Sequence, residues 1–133
     1  MVYVSTHLSL ATLEVLVHAN KRSFQASLTS IEVEISDDLI SELTTELYPK
    51  NWNGFPARKR TKSIGDGWCR SPNNSTGLMV ASATLPNAQT LTERNVLLNP
   101  NVPGFLEQID LIRMEPFAFD ARIQKLLEDE HQT

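Results

Sequence analysis

Glu14 is the residue whose type and position most invite a chemical reading. It sits inside Leu8-Ser-Leu-Ala-Thr-Leu-Glu-Val-Leu-Val-His18, a run that otherwise has the pattern of a core-facing helix. At about 100° per residue, Leu10, Leu13 and Val17 share a face and Glu14 falls between them, so its carboxylate points inward, where an unpaired charge is costly. The segment alone leaves two readings open. Either Glu14 belongs to a site, or it lies at the edge of the stripe and reaches water or a buried cation. Ser82 is the second group of interest. Residues 77–86, Gly-Leu-Met-Val-Ala-Ser-Ala-Thr-Leu-Pro, read as the best core strand, apolar on both faces except for Ser82 and Thr84,. On the face of Leu78 and Val80, the Ser82 hydroxyl can bond its own sheet or orient a carboxylate.

Several other chemistries find no support. The single cysteine, Cys69, excludes an internal disulfide framework and offers no metal cluster,. His7, His18 and His131 are scattered, without the i, i+4 spacing of a helical zinc pair, and His18, one turn after Glu14, reads as structural,. There is no glycine-rich phosphate loop, no Gly-x-Ser-x-Gly and no Ser-His-Asp ordering,.

The elements that must position Glu14 and Ser82 follow from periodicity. Val2–Ser5 reads as a short strand, with Ser5 or Thr6 as N-cap of a helix running to about residue 19,. Residues 27–36 alternate, placing Leu28, Ile31, Val33 and Ile35 among polar residues, with Glu32 and Glu34 toward solvent,. A second helix is expected over 38–47, striped by Leu39, Ile40, Leu43 and Leu47 and stopped by Pro49,. Residues 48–74 read as irregular chain anchored by Trp52 and Trp68, a functional or mobile connection,. After the core strand, 95–100 reads as a short strand or turn entry, 109–114 as a further strand, and 120–130 as a C-terminal helix with Ile123, Leu126 and Leu127 inward,. The whole is an α+β chain.

Its 133 residues, 41% hydrophobic and 21% charged, suit a single domain spanning 1–133,. A net charge of −4 disfavours wholesale binding to a phosphate backbone, and the one basic cluster, Arg58, Lys59, Arg60 and Lys62, has no interleaved aromatic platform,. The start lacks a signal-peptide pattern and no apolar run approaches about 18 residues, so a soluble, cytoplasmic protein is expected,.

Taken in order, seven segments resemble the RES domain, a family named for its Arg, Glu and Ser. They are Tyr3-Val-Ser-Thr6, Ala11-Thr-Leu-Glu14-Val-Leu-Val-His18, Pro49-Lys-Asn-Trp52, Gly65-Asp-Gly-Trp68, Leu78-Met-Val-Ala-Ser82-Ala83, Asn95-Val-Leu-Leu-Asn99-Pro100 and Pro116-Phe-Ala-Phe119-Asp120-Ala-Arg122. The resemblance implies an ADP-ribosyltransferase-like fold, with a mixed or split sheet flanked by helices. It implies a toxin of a bacterial toxin-antitoxin pair that consumes NAD+ as substrate, by hydrolysis, phosphorolysis or ADP-ribosyl transfer, without a metal. The partner so implied is an antitoxin with a helix-turn-helix DNA-binding part, which leaves the toxin no direct contact with nucleic acid.

Carried over by position, Glu14 matches the family's glutamate and Ser82 its serine, the two catalytic candidates, while Tyr3 matches the tyrosine lining the same pocket and is the NAD+-binding candidate. Cleavage of the nicotinamide-ribose bond develops oxocarbenium character on the sugar, which a neighbouring carboxylate stabilises. The family's arginine lies in a strand before that tyrosine and has no counterpart here, so the N-terminal strand is expected to be missing. The alternative is a truncated, catalytically weak or inactive module that mainly binds its antitoxin. Arg22, Arg58, Arg60 and Arg70 are the substitutes to consider for a diphosphate grip, with Arg122 in reserve; Asn99-Pro100 and Asp120 with Arg122 read as a turn and a local ion pair,.

Overall fold

The computed structural model describes residues 1–19, 27–54, 59–71, 75–85 and 92–129. Within them the chain is α+β with two separate sheets. In chain order come β1 (Val2–Ser5), α1 (Leu8–His18), β2 (Leu28–Ile35), β3 (Ile40–Glu42), α2 (Lys59–Arg70), β4 (Gly77–Val80), β5 (Asn95–Leu98), β6 (Ile109–Phe117) and α3 (Ala121–Asp129). Single turns of 3₁₀ helix occupy Asp37–Leu39, Thr45–Leu47 and Leu106–Gln108.

The larger sheet runs β1-β5-β4-β3, with β5 antiparallel to both neighbours and β3 parallel to β4 at one edge. Val96, Leu97 and Leu98 are all buried, as expected of a strand covered on both faces, and with Leu10, Leu78 and Phe119 they make the apolar core of the described residues,. Register decides which side chains meet. Tyr3 lies opposite Leu97 and Ser5 opposite Asn95, while on the other side Leu78 faces Leu97 and Val80 faces Asn95. Directly opposed residues share a face, so these six form one surface of the sheet. α1 lies on this surface through Glu14, which Asn95 hydrogen-bonds, and α2 through Gly65, where a methyl group would sit 3.9 Å from Leu97 and 3.7 Å from Met1. On the reverse surface, a Cβ at Gly77 would come within 3.2 Å of both Ile40 and Val96. Glycine there lets β3 and β5 close on β4.

The smaller sheet is the antiparallel ribbon β2-β6, with a bulge between Glu32 and Val33 that leaves Ile112 as the extra residue on β6,. Glu32 and Glu34 face solvent as the alternation predicts, and Val33 and Ile35 are half-buried. Ile31, however, pairs with Met114, and both are exposed.

Four expectations are corrected. Ser5 and Thr6 do not cap α1: the N-cap is His7, without a side-chain bond, and the two hydroxyls are instead committed across the sheet, Ser5 to Asn95 and Thr6 to the backbone of Thr92 and Arg94. Residues 38–47 are not a helix. Ile40–Glu42 pairs with β4 and the Leu43 N–H continues that ladder to the Met79 carbonyl, an inter-strand gain that a helix too short to be stable alone cannot match,. Third, the expected irregular stretch contains α2, whose half-buried Thr61, Ile64, Gly65, Trp68 and Cys69 follow the i, i+3, i+4, i+7, i+8 pattern,. The fourth concerns α3, where Ile123 is half-buried but Leu126 is exposed; the Leu127 side chain lies outside the described residues.

Gly67 carries the first prediction. It is in the interior of α2 and nothing lies within 4 Å of a Cβ built on it. Gly67→Ala therefore removes a helix-propensity penalty without a clash and should stabilise the protein by about 0.5–1 kcal/mol, read as a rise of roughly 2–4 °C in Tm.

Candidate functional site

α1 delivers the Glu14 carboxylate to the sheet because Leu10, one turn earlier on the same face, is fully buried and fixes the rotation of the helix,. Glu14 is half-buried. Two donors converge on its Oε1, Ser82 Oγ at 2.5 Å and Asn95 Nδ2 at 2.6 Å, and the Thr84 hydroxyl stands farther off at 3.4 Å. Among the described residues no cation pairs with it, and its Oε2 receives no hydrogen bond. The inward carboxylate is thus met by hydroxyl and amide donors, and its second oxygen is free of described partners,.

Ser82 is 2% exposed. It does not lie within the strand: β4 ends at Val80, and Ser82 stands two residues beyond, in a turn that its own Oγ closes by accepting the Thr84 N–H at 3.1 Å,. The expected ten-residue strand stops early because the backbone after Val80 leaves the ladder; the Ala81 N–H donates to the Tyr48 hydroxyl at 2.8 Å. Tyr48 in turn packs on Trp52 with ring centroids 4.9 Å apart, which gives Trp52 its anchoring role. Ser82 has one proton. With it committed to Glu14, the Thr84 hydroxyl must donate into the 2.6 Å contact between Thr84 and Ser82,.

Tyr3 shares the sheet face of Ser5 and Asn95 but is 69% exposed on the edge strand and makes no hydrogen bond to described residues. Glu14 and Ser82 are therefore in contact, while Tyr3 stands on the same surface without a hydrogen bond to either. Sequence reasoning missed Asn95, Ser5 and Thr84 as members of the cluster. A polar residue opening the otherwise apolar Asn95-Val-Leu-Leu was the available signal.

The remaining candidates lie elsewhere. Asn99, 3% exposed, bonds the Cys69 carbonyl at 3.0 Å and accepts the Asn101 N–H at 3.1 Å, tying the end of α2 to the turn after β5. Asp120 receives the Arg122 guanidinium in a two-point grip at 2.9 and 3.1 Å, and the Arg122 N–H at 2.8 Å. The Arg122 side chain first, and its backbone N–H second, hold the Asp120 carboxyl below its ordinary value, and Asp120 raises Arg122 in return. A lowered carboxyl of this kind helps hold the start of α3 at and above the ordinary carboxylate range, and that help is lost only as the pH falls below the range and through the lowered value,. Both side chains are occupied locally, as the sequence predicts. Arg60 and Arg70 are exposed on α2, and Arg22 and Arg58 lie outside the described residues. Arg70 borders a cavity of about 290 Å³ with Cys69, Asn99 and Asn101. That cavity is four residues along β5 from Asn95, roughly 13 Å away. Among the described residues no cluster of three His, Cys, Asp or Glu could hold a metal ion, and no helix is long and apolar enough to cross a membrane.

The RES domain matches residues 1–120. A protein named Toxin Res from Yersinia enterocolitica is 36% identical over 123 residues, covering 92% of this chain and 77% of the relative. Another Toxin Res, from Photorhabdus laumondii, is 34% identical over 124 residues, 93% of this chain and 76% of the relative. The Prs ADP-ribosylating toxin of a Sphingobium species is 29% identical over 126 residues, 92% of this chain and 74% of the relative. The match runs through both halves of the polar cluster, the helix bearing Glu14 and the turn bearing Ser82, and the chain belongs to the RES domain family.

Proposed function

We propose that this chain is a toxin that consumes NAD+ at the nicotinamide-ribose bond, held in check by an antitoxin carrying a helix-turn-helix DNA-binding part. The observation that carries the proposal is the Glu14 carboxylate, pinned through Oε1 by Ser82 and Asn95 while no described residue bonds Oε2. In the reaction the ribose C1′–N bond breaks, its electron pair leaves with nicotinamide and cancels the pyridinium charge, and an acceptor oxygen bonds to C1′ and gives up its proton to solvent. Positive charge builds on the sugar as that bond lengthens. A fixed, ionised carboxylate stabilises it without reorganising, and the same oxygen can hold a ribose hydroxyl. Ser82 acts by orienting Glu14, and the exposed Tyr3 ring supplies a face on which nicotinamide can stack. The name of the Sphingobium relative, an ADP-ribosylating toxin, supports transfer of ADP-ribose as one outcome, with water or phosphate as the alternative acceptors.

Purified protein incubated with NAD+ should release nicotinamide, measured by chromatography. Release should vanish in Glu14→Ala and persist in Gly67→Ala. Ser82→Ala keeps the carboxylate but frees its rotation and should lower kcat by about 10–100-fold. A wild-type protein that releases no nicotinamide, with or without added protein acceptors, would overturn the proposal in favour of a module that only binds its antitoxin.

A further inference from the structure

Asn95 occupies the first position of β5, opposite Ser5 of β1 on one side and Val80 of β4 on the other. Its side chain bridges two partners of opposite hydrogen-bonding character. The Glu14 carboxylate can only accept, so the Asn95 amide nitrogen must face it, at 2.6 Å,. The amide oxygen is thereby turned to Ser5, whose hydroxyl donates to it at 2.7 Å. A directed chain results: the Ser5 proton points to Asn95 and the Asn95 proton to Glu14. Glu14 is then held from two independent elements, the β5 start through Asn95 and the turn after β4 through Ser82, and both grip the same oxygen. An amide suits this place for a physical reason. It orients the carboxylate without a formal charge, whereas lysine or arginine would neutralise the field that a cationic transition state needs.

We propose that Asn95, itself oriented by Ser5, is a positioning residue that aims the open Oε2 of Glu14 at the reacting sugar. The role rests on the NAD+-cleaving function proposed above. The other groups around Glu14 are the uncharged Ser82 and Thr84; the charged groups nearby are engaged or turned away. Glu93 accepts a hydrogen bond from Ser9 at 2.8 Å, Arg94 pairs with Glu42 at 2.9 Å, and His18 is exposed one turn farther along α1.

Asn95→Asp, nearly isosteric, tests this with a signature that loss of fold would not produce. At pH 8 both carboxylates are charged, repel, and turn Glu14 away, so kcat should fall by about 100-fold with KM changed less than about threefold. As the pH is lowered from 8 toward 5, repulsion between the two carboxylates favours uptake of a shared proton, and the introduced carboxyl, carrying it, can donate to Glu14 as the amide did, so kcat relative to wild type at the same pH should rise. Ser5→Ala is the second variant. It frees the amide to flip and should lower kcat about 3–10-fold at unchanged KM. Asn95→Asp with wild-type kcat at pH 8, or with a loss that does not recover on acidification while its thermal melting stays cooperative, overturns the proposal. Should Asn95→Asp fail to fold, an unchanged kcat in Ser5→Ala overturns it. A wild-type protein that cleaves no NAD+ instead takes down the underlying function, a separate and distinguishable result.

Discussion

Glu14→Gln should lose about 100–1000-fold in kcat for nicotinamide release, with a Tm within about 2 °C of wild type. The substitution is nearly isosteric. Its amide oxygen can still accept from Ser82 and Asn95, the bonds that Oε1 now receives at 2.5 and 2.6 Å, so the packing of α1 on the sheet is retained,. What disappears is the negative charge and the accepting character of the second oxygen, the two properties the proposed transition state uses. Stability should hardly move, because the charge is half-buried with no cationic partner among the described residues, and removing it also removes its desolvation,. A structural carboxylate would show the reverse pattern, with stability lost and the rate intact. Measuring kcat by nicotinamide release and Tm by calorimetry on the same preparation separates the two.

The sequence made the Glu14 helix and the middle of the larger sheet legible because both obey simple periodicities. Leu10 and Glu14 are one turn apart, and Val96-Leu-Leu98 is an uninterrupted apolar run that only a doubly covered strand uses well,. Two elements were hidden for opposite reasons. α2 carries Gly65 and Gly67 and a basic start, all marks of a loop, yet Thr61, Ile64, Trp68 and Cys69 keep its helical stripe. β3 was hidden by an apparent helical stripe at Leu39, Ile40, Leu43 and Leu47; the hydrogen bonds to β4 outweigh it, and those depend on a strand nearly 40 residues away,.

The site was partly legible for the same kind of reason. Glu14 stood out because a charge interrupts an apolar face, and Ser82 because a hydroxyl interrupts an apolar segment. Asn95 and Ser5 did not, since each sits at the end of a strand, where polar residues are ordinary; Thr84 interrupts the same apolar segment as Ser82, but nothing local ties it to Glu14. Their meeting is set by register: Ser5 opposite Asn95, Asn95 opposite Val80, and Thr84 brought back by the turn that Ser82 closes. Register depends on pairings between segments about 90 residues apart, which no local pattern encodes. The Ser5 hydroxyl shows the ambiguity most directly. A serine before a helix reads as a cap, but this one lies across from an asparagine and donates to it,.

Leu10→Ala should produce the largest loss of stability of any single apolar truncation in α1. Leu10 is 0% exposed and is the one buried residue of that helix, whereas Leu8, Val15 and Val17 are exposed. Helix α1 is therefore seated by one fully buried side chain, with the half-buried Leu13 and Leu16 and the hydrogen bonds of Glu14 and Ser9 beside it. Removing three buried carbons at such a point costs about 3 kcal/mol, within the usual range of about 2–5 kcal/mol, and at roughly 4 °C per kcal/mol lowers Tm by about 12 °C. Leu10→Met, which conserves volume, should cost less than about 1.5 kcal/mol. The pair also probes the coupling between core and site. Well below its melting midpoint, Leu10→Ala retains Ser82 and Asn95 as clamps on Glu14, so kcat per folded molecule should fall less than about fivefold. A larger drop in kcat would mean that the hydrogen bonds follow the helix rather than hold it, and that the Leu10 contact, not the polar cluster, sets the carboxylate's position.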